Sequence, residues 1–402
     1  MKRSLQFLCI FLIFIPCLSL GAKDIGLLLD QNMGYGGINT SDTAFDYSGI
    51  LIPRFSTLLG DSGELYISAG VKADYLNDAW TFVPELLRTE FFWDFGNAEI
   101  KIGRMQYADP LGFIAEGLFD GARFSFDTTA GTFSLGTWYT GLLHKKRANI
   151  AMNGRESESF YDTDTYFAPS RLLSAMDWEH PALGDLVRLR LSLLGQSDLS
   201  GKDDYLHSQY LAAKLTILVN TVVFDLGGGL EVIQDTGDTG IAMVGELGFA
   251  WSPPAAIDSE LSLLGRFSSG VIEDSSVREF LPLTTVTQGN VLKAKISGLS
   301  MISLDYLARL HRAFSAGFTA SCFVRSDEGT HTSYPVGGGA TNGEADGKYV
   351  LGTELFGRLL WSPVSDMQFT LGGGAFLPSM GNVNPDAGAL WRVELNVILA
   401  LY

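Results

Sequence analysis

Charged side chains recur at every second position in several segments of this 402-residue chain, with apolar residues between them. Arg188 and Arg190, for example, alternate with Val187, Leu189 and Leu191. Alternate side chains of an extended strand point to opposite faces, so such a segment has one charged face and one apolar face. Fixed charges of both signs along one wall suit an aqueous path whose field orients polar solutes.

Twelve residues placed in this way are predicted to line such a path. A lysine or arginine facing lipid at mid-depth costs about 2–4 kcal/mol, which favours the inward face in any membrane barrel. The alternative is that the charges pair with one another and merely fill a narrow barrel. The candidates are Lys72, Arg88, Glu90, Arg123, Arg188, Arg190, Lys214, Arg266, Asp305, Arg309, Arg392 and Glu394.

The sequence offers little for catalysis. Its five histidines are scattered, and His207-Ser208 is the only adjacent pair of a base and a nucleophile. Neighbours on a strand point to opposite faces, so this pair does not form a proton relay. Triple glycines at 227–229 and 372–374 resemble phosphate-binding loops but fall inside predicted strands, where glycine more often permits close packing. The chain is therefore predicted not to be an enzyme.

Metal and cofactor sites are not predicted either. Only Cys322 remains once an N-terminal export signal is removed, so the mature chain has no internal disulfide and no cysteine-based zinc site. Acidic pairs at 162–164 and 235–238 could hold calcium in surface loops, but solvated carboxylates are the simpler interpretation.

Period-two alternation dominates the rest of the chain and indicates strands with one apolar face. In residues 313–325, six apolar residues alternate with small or polar ones, whereas a helix needs apolar residues three and four apart. Eighteen such strands are predicted, with 16–18 as the range. Their spans are 24–33, 47–59, 63–75, 85–95, 98–107, 118–127, 131–141, 171–179, 185–195, 206–217, 221–233, 241–251, 257–268, 299–310, 313–325, 348–361, 366–377 and 389–402.

The connections between these strands alternate in length. Links after even-numbered strands are tight and contain Gly, Asn or Pro, as in Gly60-Asp61-Ser62 and Gly96-Asn97. Links after odd-numbered strands are longer and polar, the largest at about 142–170, 269–298 and 326–347. Short periplasmic turns and long extracellular loops are typical of an outer-membrane barrel, whereas a soluble sandwich has no reason for this alternation.

The N-terminus has the pattern of a secretory signal peptide over residues 1–22. Lys2 and Arg3 precede an apolar run at 5–15, and small residues follow at 19–22. The remaining residues, 23–402, are predicted to form a single barrel domain. No later stretch reaches 18 apolar residues, so no membrane-spanning helix is expected.

Composition narrows the class further. The chain is 46% hydrophobic but only 18% charged, with 46 glycines, and its formal net charge is −17. An acidic chain lacks the basic face that nucleic-acid binding needs. Its abundant apolar residues exclude disorder. Aromatic residues near strand ends, among them Trp93, Trp138, Tyr139, Trp251 and Trp361, are expected to lie at the bilayer interfaces.

One stretch resembles porin-type outer-membrane channels. Glu99 to Tyr107 includes Gly103-Arg104, and the following strand contains Asp120-Gly121-Ala122-Arg123, a Gly-Arg end followed by an Asp-Gly-x-Arg start. The whole layout resembles the eighteen-stranded substrate-specific porins and alginate-export-like barrels. The resemblance implies passive passage of small hydrophilic solutes through an outer-membrane pore.

The last strand, 391–402, also resembles the terminal strand that the barrel-assembly machinery reads, although Tyr402 is out of phase with its apolar face. Expected partners are therefore outer-membrane lipid, that machinery and small solutes, without nucleic acid and without a cofactor. The oligomeric state stays open. A surface adhesin or structural barrel with a closed pore is the main alternative, and an outer-membrane hydrolase is the second.

Overall fold

The computed structural model describes residues 23–39, 42–76, 78–145, 150, 165–181, 186–201, 205–235, 237–254, 257–272, 275–326 and 348–401. The predicted signal peptide, the acidic pair at 162–164 and Tyr402 lie outside these ranges. No helix in the described part of the chain is both long and apolar enough to cross a membrane.

Eighteen antiparallel strands form one sheet, and each of them overlaps a predicted span. The fold class and the strand number are therefore confirmed. Two further strands, β14 and β15, pair with each other in a short hairpin. The bounds are β1 Lys23–Ile38, β2 Asp42–Leu59, β3 Gly63–Leu76, β4 Ala79–Asp94, β5 Ala98–Ala108, β6 Glu116–Thr128, β7 Gly131–Tyr139, β8 Arg171–Glu179, β9 Val187–Asp198, β10 Leu206–Val219, β11 Val222–Asp235, β12 Asp238–Trp251, β13 Ser259–Ser268, β14 Thr287–Gln288, β15 Ala294–Lys295, β16 Leu299–His311, β17 Phe314–Arg325, β18 Val350–Val364, β19 Met367–Leu377 and β20 Leu390–Leu401.

The sheet closes on itself. β1 pairs with β2 on one side and with β20 on the other, in a continuous register from Leu27 opposite Leu401 to Ile38 opposite Leu390. Closure removes the free edges that a flat sheet would expose to lipid, where unpaired backbone groups are costly. A single turn of 3-10 helix, Pro378–Met380, precedes β20.

The links differ from the prediction at one end of the barrel. The strands run further than expected, so only two or three residues separate β1 from β2, β3 from β4 and β11 from β12, where longer links were predicted. The link predicted at 269–298 instead contains the β14–β15 hairpin. The alternation of apolar and polar residues identified the centres of the strands, but not where the strands end.

Alternate residues separate the two faces of the wall as predicted. On β16, the side chains of Ile302, Leu304 and Tyr306 are exposed on the outside, and Ile302 is 62% exposed. Between them, Ser303 and Asp305 make hydrogen bonds with inward residues of β17. An apolar outer surface around a polar inner one is the arrangement that a membrane barrel requires.

Aromatic pairs mark the outer surface near the short turns. Phe91 lies 6.1 Å from Trp93 and Trp361 lies 5.1 Å from Phe369, measured between ring centroids. The predicted interfacial position of Trp138 is wrong. Its side chain is only 2% exposed and packs inward, because it shares the face of the inward residues of β7.

The wall between β4 and β5 is only partly paired. The residues Thr89–Asp94 pair with Glu99–Arg104, whereas the described pairings join the preceding part of β4 to β3 alone. Arg104 donates a hydrogen bond to the carbonyl of Leu86 across this gap and forms a two-fold ion pair with Asp120 at 2.8 and 3.0 Å. Arg104 on β5 lies directly opposite Asp120 on β6. The Gly-Arg end of one strand and the Asp-Gly start of the next therefore supply the two members of this ion pair.

Candidate pore lining and constriction

Eleven of the twelve predicted lining residues lie on the inward face of the barrel wall, and Arg309 lies at its rim. There Arg309 pairs with Asp258 at 3.4 Å, and both side chains are exposed. The inward position of Arg88 depends on a β-bulge between β3 and β4, which shifts the alternation of β4 after Leu86.

Most of the inward charges form ion pairs, and among the described residues Arg188 has none. Arg190 is exposed, and within the described ranges its guanidinium approaches the carbonyl of Pro110, at 3.5 Å. The pairs, with their N–O distances, include Lys72–Asp74 at 2.9 Å, Arg88–Glu90 at 2.8 Å, Arg358–Asp305 at 3.0 Å, Arg392–Asp46 at 2.8 Å, Arg392–Glu394 at 3.2 Å, Lys214–Glu246 at 3.5 Å and Arg123–Asp177 at 4.0 Å. Arg266 also pairs with Glu246.

Five of the strands bring inward residues into a single row. Arg190 on β9 is opposite Lys214 on β10, which is opposite Gly227 on β11, then Glu246 on β12 and Arg266 on β13. Three cations and one carboxylate therefore lie side by side along one wall. We refer to these five residues as the β9–β13 row.

A short loop, residues 109–115, turns into the barrel beside this row. We call it the Asp109 loop, because the Asp109 carboxylate accepts hydrogen bonds from the backbone N–H groups of Leu111, Gly112, Ile114 and Ala115, at 2.8–3.2 Å. Asp109 is 3% exposed. Burial raises the pKa of the Asp109 carboxyl above its usual value, and the four backbone donors offset part of that rise.

Glycine in the row makes room for the Asp109 loop. A Cβ atom at Gly227 would lie 2.6 Å from the side chain of Leu111, closer than real contacts allow. The triple glycine at 227–229 therefore serves close packing, as its position in a strand predicted.

A second, longer loop also turns inward. We call residues 269–298, of which 273–274 are not described, the long inward loop. It is attached to the wall by side chains of the wall. Glu231 on β11 accepts a hydrogen bond from the Leu281 N–H at 2.8 Å, and Arg266 donates to Gln288 at 2.8 Å. Glu354 on β18 accepts bonds from three successive N–H groups of this loop, described below.

The two loops meet inside the barrel. Glu116, just after the Asp109 loop, donates its N–H to the hydroxyl of Thr284 at 2.9 Å, and the Thr284 N–H donates to the Ile114 carbonyl at 3.2 Å. The guanidinium of Arg266 lies 4.4 Å from the ring centroid of Phe113. The loops therefore narrow the interior next to the β9–β13 row.

Apolar side chains fill the interior behind these contacts. One buried cluster joins Phe113 and Ile114 to Phe280 and Leu283, and a second joins Leu292 to the wall around Phe323, Phe356 and Phe376. The charged inward wall that the sequence predicted is therefore accompanied by apolar clusters, which loop and wall residues form together.

Sequence reasoning missed several inward residues that matter to this arrangement. Asp46, Glu231, Glu246, Glu354 and Arg358 all lie on the inward face. Asp46 and Glu246 pair with cations, Glu231 and Glu354 hold a loop, and Arg358 pairs with Asp305. Alternation within their strands could have placed them inward. Their partners could not have been found, because each partner lies on a different strand or loop.

The short-turn end of the interior contains a cavity of about 310 Å³. Asp24, Arg54, Ser56, Glu64 and Tyr66, on β1 to β3, are among its lining residues. Its volume is at the lower end of the range for small-molecule sites. Charges of both signs and a phenol ring thus surround a space large enough for a small polar solute. No group of His, Cys, Asp or Glu that could hold a metal ion is found in the described ranges.

No protein-family model matches the chain, and no curated protein matches it. Solved structures do. The outer membrane protein opdK from Pseudomonas aeruginosa aligns with a TM-score of 0.61 at 11% identity, over 94% of this chain and 98% of that one. OccK2 (OpdF) from the same organism aligns with a TM-score of 0.63 at 12% identity, over 94% and 97%.

A third structure, OccAB4 from Acinetobacter baumannii, aligns with a TM-score of 0.58 at 8% identity, over 95% of this chain and 98% of the other. OccK2 has also been crystallised with glucuronate. At such low identity the likeness concerns architecture alone. The chain shares the barrel fold of these outer-membrane proteins, as its resemblance to porins implied.

Proposed function

We propose that the protein is an outer-membrane channel that passes small hydrophilic solutes passively along a charged wall. The observation that carries this proposal is the β9–β13 row, where cations from several adjacent strands face the inward loops. A row of fixed charges beside a constriction attracts and orients polar solutes there. The apolar outer surface supports placement in lipid, and export and insertion would use the signal peptide and the terminal strand.

Arg188 and Arg190 make this proposal testable. Both are exposed on the inward face, and within the described residues neither has a carboxylate partner. At physiological ionic strength the field of such charges extends about 8 Å. A solute with a carboxylate would meet them in passing. Glucuronate, which binds OccK2, is therefore a suitable first probe of substrate passage.

The test is single-channel recording of the purified protein in a planar bilayer. Replacing Arg188 and Arg190 with glutamate changes the local charge by four units, so we expect the reversal potential in a salt gradient to move toward cation preference, more strongly at low salt. Leu189→Arg is the matched control, because it places one charge on the lipid face and should impair insertion.

One result would count against the channel and another against the assigned solute path. A wild-type barrel that inserts but conducts no ions would favour the closed structural or adhesive barrel. A conducting double variant with unchanged selectivity would show that the wall carrying Arg188 and Arg190 is not on the solute path.

A further inference from the structure

Among the wall side chains that hold the long inward loop, one buried carboxylate binds three successive residues of it. The carboxylate of Glu354, on β18, accepts hydrogen bonds from the N–H groups of Asn290, Val291 and Leu292 at 2.7, 2.9 and 2.8 Å. Three successive backbone N–H groups around one anion form a concave site of the kind that binds phosphate in other proteins. Here the anion is the wall's own carboxylate.

This contact is buried. Glu354 is 1% exposed, and Leu292 is fully buried. Among the described residues no ion pair reaches Glu354, and its hydrogen bonds come from the loop: three backbone N–H groups and, at 3.4 Å, the side-chain amide of Asn290. Gly289, at φ +83°, closes the turn, and a Cβ atom there would lie 2.8 Å from a Glu354 oxygen and 2.9 Å from the Phe323 ring. Only glycine permits this approach.

The docked segment reaches several parts of the wall. At one end Gln288 bonds to Arg266 on β13, in the β9–β13 row, and in the middle residues 290–292 bond to Glu354 on β18. Lys293, next in the chain, lies within electrostatic range of Arg392 on β20 and Asp46 on β2. The segment therefore crosses the interior, and its position decides how much of the cross-section stays open.

We propose that Glu354 is a positioning residue that sets the width of the solute path, because it holds the long inward loop in its crossing position. This inference rests on the proposed channel function. It also identifies the contact that determines the size limit for solutes. Without this carboxylate, three buried N–H groups lose their acceptor, and the loop has less reason to stay on the wall.

Two variants break the contact from its two sides. Glu354→Gln replaces the carboxylate by an amide, whose N–H₂ group cannot accept a bond. Gly289→Ala keeps every charge and pushes the hairpin away from the wall. Asp30→Asn is the control, because it removes one negative charge from a β1 carboxylate that bonds to Asn396 at 2.8 Å and to no part of the loop.

Two measurements are made on each full-length protein. Polyethylene glycols of increasing size, tested for their ability to reduce single-channel conductance, give the size limit. Hydrogen–deuterium exchange gives the protection of the amides of residues 290–292. We expect Glu354→Gln and Gly289→Ala to conduct more, admit larger polymers, and exchange these amides about tenfold faster or more, the effect of losing one charge-assisted hydrogen bond. Asp30→Asn should keep the wild-type size limit and protection.

The failures of the two proposals are distinguishable. If the wild type conducts and both Glu354→Gln and Gly289→Ala keep its size limit, the proposed role of Glu354 is overturned, while the proposed channel function is retained. If the wild type conducts no ions, the channel proposal is overturned. Amide exchange then decides on Glu354 alone, and unchanged protection of residues 290–292 in Glu354→Gln overturns the docking role as well.

Discussion

The Asp109 loop and the long inward loop both enter the barrel, but their buried carboxylates come from different places. Asp109 belongs to the loop that it organises and accepts hydrogen bonds from residues two to six positions further on. Glu231 and Glu354 belong to the wall, about fifty and sixty residues away in sequence from the N–H groups that they bind. The first loop carries its own organising group, and the second depends on the wall.

This difference separates folding of a loop from its docking. A loop with an internal acceptor keeps its shape wherever it lies, so removing the acceptor unfolds the loop itself. A loop held by the wall can exchange between docked and undocked states, because each of its hydrogen bonds to the wall can break without disturbing the strands. We expect the Asp109 loop to be rigid and the long inward loop to be the adjustable part of the constriction.

The largest effect is expected from Asp109→Ala. The buried N–H groups of Leu111, Ile114 and Ala115 lose their acceptor, and an unpaired buried polar group costs about 1–3 kcal/mol, so the free energy of unfolding should fall by at least about 3 kcal/mol. Urea unfolding in detergent measures this. Asp94→Ala is the control, because exposed Asp94 accepts a single bond, from the Gly96 N–H at 2.6 Å. Equal losses in both variants would refute internal organisation of the loop.

Glu231→Gln tests the wall-held loop. The buried carboxylate accepts the Leu281 N–H, and its replacement should weaken docking by about 1–2 kcal/mol with little change in unfolding of the barrel. Faster amide exchange at Leu281, against unchanged urea unfolding, is the expected result. Glu260→Gln, at an exposed position on β13, serves as the control. If Glu231→Gln lowered the free energy of unfolding as much as Asp109→Ala does, the proposed difference between the two loops would be wrong.

Thr284→Val tests whether the two loops move together. The substitution keeps the shape of the side chain but removes the hydroxyl that accepts the Glu116 N–H, at a cost of about 1 kcal/mol. We expect amide exchange to increase at Thr284 and much less within the Asp109 loop, which retains its own acceptor. Thr287→Val, at an exposed position of β14, is the matched control. Equal loosening of both loops would mean that the Asp109 loop is also held from outside.

The smallest effect concerns pH. Burial lowers the pKa of Lys293, nearby Arg392 lowers it further, and the carboxylates of Glu394, Asp46 and Glu354 oppose this. The docked loop therefore holds the Lys293 proton less tightly than the free loop, so docking gains stability as pH rises toward 10.5. Current fluctuations should decrease slightly between pH 7 and 10, and Lys293→Met should remove that trend. An opposite slope in the wild type would contradict it.

The barrel could be predicted from sequence because its signal is local. Alternation within about ten residues identified all eighteen strands, and β8 matched its predicted bounds at both ends. The prediction failed where strands continue beyond their alternating centres, as at Ala79–Pro84 of β4, where a proline interrupts the pattern. It also failed at Trp138, since an aromatic ring near a strand end suits either an interface or a core.

The site was only partly predictable for the same reason. Which face a charged residue occupies depends on its own strand, so the inward positions of Arg188 and Asp305 followed from the sequence. What an inward residue touches depends on strand order and loop paths. The bond from Leu292 to Glu354 crosses from a loop to a distant strand, and the sequence near either residue gives no sign of it.

The partly paired boundary between β4 and β5 has a mechanical meaning. Elsewhere a strand is joined to each neighbour along most of its length, but here the paired ladder is confined to Thr89–Asp94 and Glu99–Arg104. A closed ring under lateral strain yields first where the fewest bonds cross a boundary. The hydrogen bond from Arg104 to the Leu86 carbonyl crosses this boundary, and the ion pair with Asp120 fixes Arg104 to β6. We therefore expect Arg104, together with the Lys101–Glu90 pair, to strengthen the wall where its ladder is shortest.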